Sequence, residues 1–168
     1  MSSQDEIIPI VNLDDEIIWY KARKDITSED IYRVSACWIK DSDWNILLAQ
    51  RSYTKRNDPG KWSAAVAWTV EKWESYEHNI TKETSEEIWL IVNKEDLIIW
   101  KKIYLNENNH QISWQRFLYI YDWDKSVLRA EEWAVEQLKR FSPEDLKELI
   151  DSFPDDFLES VKWGLENF

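Results

Sequence analysis

Four glutamates, Glu74, Glu83, Glu86 and Glu87, limit what this chain can fold into more than any other feature of its 168 residues. The segment from Glu74 to Ile88 holds no proline or glycine and lies between apolar runs, which predicts a helix of about four turns. Each residue advances about 100° around such a helix, so Glu83, Glu86 and Glu87 share one face. Like charges that close destabilise a helix unless a cation lies between them. Hard divalent ions suit the position, because they take oxygen ligands, keep several waters and bridge carboxylates to phosphate groups. In a chain with 33 acidic and 21 basic residues, however, the ordinary meaning of a glutamate cluster is a solvated acidic face. The residues around the cluster have to decide.

Written from residue 68, the stretch is Trp68-x5-Glu74-x7-Lys82-Glu83-Thr84-x-Glu86-Glu87-x-Trp89-Leu90. It resembles the signature of the Nudix family, Gly-x5-Glu-x7-Arg-Glu-U-x-Glu-Glu-x-Gly-U, in which U is aliphatic. All four glutamates are in register, while Lys82 stands for arginine, Thr84 for an aliphatic residue, and Trp68 and Trp89 for glycines. Upstream, Ile46 to Ser52 reads as a strand carrying Arg51, followed by a polar loop (Tyr53 to Asp58) and the turn Pro59-Gly60-Lys61-Trp62. This too looks like the approach to a Nudix box, taken here as residues 68–90.

The resemblance implies an α/β (α+β) fold, a Nudix-type αβα sandwich with a central mixed β-sheet. It implies a pyrophosphohydrolase that cleaves a phosphoanhydride bond in a nucleoside diphosphate linked to another group, or in a similar organic diphosphate. Glu83, Glu86 and Glu87 would hold Mg²⁺ or Mn²⁺, and Glu86 would take the proton of the attacking water. Glu74 and Lys82 would brace the box, with Lys82 paired to Glu86 at i, i+4. Arg51 and Lys61 are candidates to neutralise substrate phosphates. Glu131 and Glu132 are candidates for a further carboxylate from a later loop.

Beyond the box, Leu97 to Ile99 and Arg116 to Tyr121 are expected to form paired strands. Ser142 followed by Pro143 marks a helix start, and Pro154 a second one, giving a helical tail over 142–168. This tail and the N-terminal segment 1–33, which ends in Asp30-Ile31-Tyr32-Arg33 before a strand, look most like the branch related to isopentenyl-diphosphate isomerase. That isomerase needs a cysteine in the strand before the box and histidine metal ligands. Here Ser63 to Ala67 offers neither, Cys37 reads as a small core residue, His78 lies off the glutamate face and His110 falls in a polar loop. Hydrolysis is therefore expected. An isomerase-like enzyme and a non-catalytic Nudix-like binding module are the alternatives.

The length fits one domain, 1–168, with a real core. A single cysteine, no apolar run of membrane length and no signal-peptide pattern place the protein in the cytoplasm, away from membranes. A net charge of −12 disfavours a nucleic-acid polymer as partner. A small-molecule diphosphate remains compatible because a bound cation reverses the local sign, and a homodimer is compatible too.

Twelve tryptophans accompany only two glycines, whereas average usage of about 7% would put roughly twelve glycines in such a chain. Trp44 sits in Asp43-Trp44-Asn45, a hairpin-turn context that favours glycine; Trp73 precedes Glu74, Trp89 ends the box helix, and Trp123 lies between two aspartates. A genetic code in which UGA means glycine would account for all of them, with genuine tryptophans such as Trp62 encoded by UGG. Trp68, Trp73 and Trp89 are then expected to be glycine in the native protein, with Trp19, Trp44, Trp114, Trp123 and Trp133 following. At Trp89 the expected fault is a left-handed backbone, and at Trp68 and Trp73 mainly indole volume. The alternative is a truly tryptophan-rich protein, with indoles in the core or stacked on a base.

Overall fold

A computed structural model describes residues 3–107, 110–122, 128–131 and 133–165. In chain order it contains β1 (Ile7–Val11), β2 (Ile17–Ala22), β3 (Ile31–Lys40), β4 (Ile46–Arg51), β5 (Trp62–Ala64), β6 (Val66–Thr69), α1 (Tyr76–Ile88), β7 (Ile98–Glu107), β8 (His110–Ile120), β9 (Val135–Phe141), α2 (Pro143–Ser152) and α3 (Glu159–Leu165). The strands form one mixed sheet organised by β3. β3 runs parallel to β8 from Ile31↔Gln111 to Lys40↔Ile120, and its other edge meets β1, β6 and β4 in turn, all antiparallel.

Side chains alternate across this sheet and build two cores. Cys37 and Ile39 of β3 pack with Val66, Phe117 and the α1 residues Ile80 and Ile88. Trp38 points the other way, to Leu146 of α2 and Val161 of α3. Gly164 brings α3 so close that a Cβ there would run into the Trp38 ring. The architecture is an αβα sandwich around a mixed sheet, as the resemblance implied, and Leu97 to Ile99 and Arg116 to Tyr121 do pair, through Ile98↔Leu118.

Several boundaries differ from the sequence reading. The strand expected before the box, around Ser63 to Ala67, is two strands between Trp62 and Val70, β5 on β4 and β6 on β3, because no straight strand reaches both partners. α1 begins at Tyr76, where the Ser75 hydroxyl accepts from the N–H of His78 (3.1 Å), leaving Glu74 in the preceding loop. Ser142 caps α2 as expected, accepting from Asp145 N–H. Pro154 starts only a single 3-10 turn; Leu158 N–H bonds to Trp62 O (3.0 Å), so the chain joins β5 before α3 begins at Glu159. The N-terminal segment supplies an unforeseen hairpin, β1–β2, on the edge of the sheet.

Five described residues other than glycine have a left-handed backbone: Asp15, Asp58, Trp44 (φ 67°), Trp73 (φ 76°) and Trp89 (φ 60°). Aspartate tolerates this region, whereas a bulky aromatic pays a Cβ penalty with no compensating local hydrogen bond. At Trp89 the conformation closes α1, with the Leu90 N–H bonded back to Thr84 O at 3.1 Å. Trp73 departs from expectation: its side chain is 86% exposed, so the fault is conformation and not volume. Trp19, Trp68, Trp114 and Trp133 have ordinary backbone, and Trp123 lies outside the described residues.

Candidate active site

α1 carries the glutamate face, and its environment separates the four carboxylates. Glu74, in the loop before the helix, accepts from Asn79 Nδ2 (2.8 Å) and from the N–H of Glu71 (3.0 Å). Lys82 Nζ lies 2.7 Å from Glu74, 3.1 Å from Glu71 and 3.1 Å from Glu83. It does not pair with Glu86, contrary to the i, i+4 expectation. Side chains lean toward the N-terminal end of their helix, which turns Lys82 back to the loop carboxylates. Burial pushes the Glu74 carboxyl up, yet the Lys82 ammonium and the two N–H donors hold it below its ordinary value.

One turn apart, Glu83 and Glu87 are only 4% and 6% exposed, while Glu86 is exposed. Burial pushes the Glu83 carboxyl up to about 7 against the opposing Lys82, and Glu86 and Glu74 add repulsion. Glu87 is raised as well, first by burial and then by Glu83, with Lys55 and Arg51 acting against the shift. Two buried carboxyls that repel each other fit a divalent cation. Among the described residues no three His, Cys, Asp or Glu side chains converge into a ready-made cage.

A small cavity of about 60 Å³ lies beside Glu87, walled by Arg51, Lys55, Trp68 and Trp114. Through Arg51, Ala67 and Trp114 it adjoins a larger cleft of about 730 Å³. The NUDIX domain pattern matches residues 31–161, which include β3, β4, the box and α1.

The chain belongs to the Nudix family.

An uncharacterized Nudix hydrolase of Streptomyces coelicolor is 29% identical over 89 residues, 52% of this chain and 49% of that one. The chain thus spans about half the length of this curated relative. A crystal structure from Deinococcus radiodurans superposes over 96% of this chain and 98% of its own, with a TM-score of 0.75 and 18% identity. The bifunctional NMN adenylyltransferase/ADP ribose pyrophosphatase of Francisella tularensis, complexed with AMP and a Mn ion, covers 80% of this chain and 41% of its own (TM-score 0.58, 19% identity). At these identities the two structures speak for the fold alone.

Around the Nudix box, the other candidates fall in different places. Arg51 faces Glu87, but its guanidinium donates to the carbonyls of Asn57 and Asp58 and so also shapes the loop. Lys61 pairs with Asp58 (3.3 Å) and lines the larger cleft only. Glu131 ties its loop to the end of α1, its N–H donating to Glu87 O (2.9 Å), and Glu132 lies outside the described residues. His78 is exposed on α1, and His110 opens β8 with its ring edge-on to Tyr32 in the cleft. Cys37 is fully buried, and burial pushes its thiol up to about 12.

Two residues escaped the sequence reading. Lys55 brings an ammonium between the rings of Trp68 (4.9 Å) and Trp133 (4.3 Å) while facing Glu87 and Glu83. It sits in a polar loop where nothing local marks it. Arg116 is fully buried between the rings of Trp100 (4.5 Å) and Trp114 (5.7 Å), and none of its guanidinium nitrogens reaches an acceptor among the described residues.

Proposed function

We propose that this chain is a metal-dependent hydrolase of the phosphoanhydride bond in a nucleoside diphosphate linked to another group, or in a similar organic diphosphate. The observation that carries the reading is the pair of buried, mutually repelling carboxyls, Glu83 and Glu87, with Glu87 beside a small cavity that Arg51 and Lys55 also line. Glu83, Glu86 and Glu87 would hold Mg²⁺ or Mn²⁺, hard cations that take carboxylate oxygens. When bound, the cation supplies polarisation of the diphosphate and a lower pKa for the attacking water. Glu86, the exposed member, takes that water's proton. Lys82 and Glu74 hold the loop before α1 in place, and Arg51 and Lys55 supply positive potential to the phosphates. Isomerisation is not proposed, because Ser63 to Ala67 carries no acid or thiol and the Cys37 thiol is buried. We take residues 1–168 as one domain, since β1 and β2 extend the sheet that carries the box.

A non-catalytic binding module is the second reading, and one observation favours it for the chain as written: Trp68 and Trp114 help confine the space beside Glu87 to about 60 Å³. The two readings divide on whether these indoles are native. We propose that Trp44, Trp73 and Trp89 are glycines read from UGA, supported by three left-handed tryptophans in turns, and that Trp68 is a fourth, supported by its place against Glu87. Sequencing the gene checks this: UGA at these codons with UGG at Trp62 is expected, and UGG throughout ends the idea. A hydrolysis screen of nucleotide sugars, dinucleoside polyphosphates, oxidised dNTPs and prenyl diphosphates, with Mg²⁺ or EDTA, tests the activity on the protein with Trp68, Trp73 and Trp89 set to glycine. Absence of metal-dependent cleavage across that panel would leave the binding module standing.

A further inference from the structure

A guanidinium closed off from water needs an anion or hydrogen-bond acceptors, since the desolvation of an unpaired charge costs far more than ring contacts return. Arg116 has neither among the described residues. Its place in the sheet tells where the missing partner comes from. In register, Ala67 of β6, Ala36 of β3 and Arg116 of β8 form one row across three strands, so their side chains leave the same face. The adjoining row is Thr69, Val34 and Trp114, and all three line the larger cleft, as do Ala67 and Ile112. Ile112, Trp114 and Arg116 therefore follow one another along β8 on the cleft face. The two alanines leave the row of Arg116 without bulk, and Trp114, which lines the cleft, has its ring 5.7 Å from the guanidinium. That cleft is lined by five cations (Arg23, Arg51, Arg56, Lys61, Lys162) against three carboxylates, in a chain of net charge −12. Arg23 is paired with Glu6, Lys61 with Asp58 and Lys162 with Glu159, and the lining keeps an excess of cations over carboxylates that suits an anion.

We propose that Arg116 is a binding residue for a phosphate oxyanion of the substrate, on the sheet floor of the cleft, and that residue 114 decides whether it is reachable. With tryptophan at 114 the site is shut; with glycine, the reading the turn tryptophans suggest, the guanidinium opens into the cleft and meets phosphate as a two-pronged donor. The proposal rests on reading this cleft as the substrate cleft, but it is tested by binding alone, without metal or turnover.

The experiment is isothermal titration calorimetry with inorganic pyrophosphate in EDTA. Trp114→Gly should bind pyrophosphate about tenfold or more tightly than the chain as written, the worth of a charge-assisted hydrogen bond. Adding Arg116→Met should remove that gain, and Arg116→Lys should restore part of it. Thermal melts of each variant report folding; if Trp114→Gly fails to fold, Trp114→Leu, which shortens the wall and keeps it apolar, takes its place in the same series. No gain on shortening residue 114, or a gain that survives Arg116→Met, overturns the proposal. Either result leaves metal-dependent hydrolysis to stand or fall on its own assay.

Discussion

Asp15 and the Glu83–Glu87 pair are both carboxylates removed from water, yet their surroundings act on them in opposite directions. Asp15 accepts from Arg33 Nε (3.0 Å), Tyr76 Oη (2.8 Å) and Ser113 Oγ (2.9 Å), and it also pairs with Lys102. Burial pushes its carboxyl up, but those donors together hold it below the ordinary value. Among the described residues Glu83 has Lys82 as its close cationic partner, Glu87 has the fields of Lys55 and Arg51, and both carboxyls are raised. A carboxylate surrounded by donors is part of the framework, joining the β1–β2 turn, β3, α1, β7 and β8. Carboxylates buried together with few donors are the arrangement on which the proposed cation site rests.

The largest effect should come from disturbing the satisfied site. Asp15→Asn removes the charge while keeping a residue that tolerates φ 64°, and it leaves Arg33 and Lys102 without their counterion. Thermal or urea unfolding should show a loss of about 2 kcal/mol, with metal-dependent hydrolysis per folded molecule unchanged. A variant as stable as its parent would break the comparison on the framework side.

Glu87→Gln and Glu86→Gln, made in the protein with Trp68, Trp73 and Trp89 set to glycine, should do the reverse. The kcat should fall at least tenfold, roughly 1.4 kcal/mol or more of barrier, while the melting temperature of Glu87→Gln holds or rises because one of two repelling buried charges is gone. Unchanged rates in both variants would remove the metal-site assignment.

A smaller shift is expected at the turns. Trp89→Gly and Trp73→Gly should each stabilise the chain by about 1 kcal/mol, read by differential scanning calorimetry, since glycine enters the left-handed region without the Cβ penalty. Trp114→Gly, in ordinary strand backbone and buried, should instead lose stability in the chain as written. The same sign at all three positions would show that volume, and not backbone conformation, governs these sites.

The smallest effect is in acid. The Asp15 carboxyl is lowered on folding, so its contribution is fully present above the ordinary value of 3.8 and is lost as pH falls through the folded value. The stability gap between parent and Asp15→Asn should therefore be constant from neutral pH down to about 4 and close below it. A gap that closes well above that window would assign the loss to something other than this carboxylate.

Much of this molecule was legible along the chain because its determinants are local. The 3.6-residue period placed Glu83 and Glu87 on one face of α1, Ser142 with Pro143 announced α2, and the turn at Trp89 demanded a left-handed residue. Where the reading failed, a distant segment had intervened. Trp62 to Val70 splits because β3 and β4 each claim part of it, and the Pro154 turn stays short because β5 captures Leu158. Lys82 chooses Glu74 over Glu86 because the loop before α1 folds back to it.

By itself, then, the sequence determined the Nudix identity of the box, the face its glutamates share and the turns that call for a left-handed residue, all properties of neighbours within a few residues. Only the tertiary structure decided which carboxylates are buried, that Lys55 faces them, and that Arg116 lies between the Trp100 and Trp114 rings with no acceptor among the described residues. Burial and electrostatic potential depend on what packs against a side chain from elsewhere in the fold, and in a sheet that joins residues 34, 69 and 114 side by side, no local pattern carries that information.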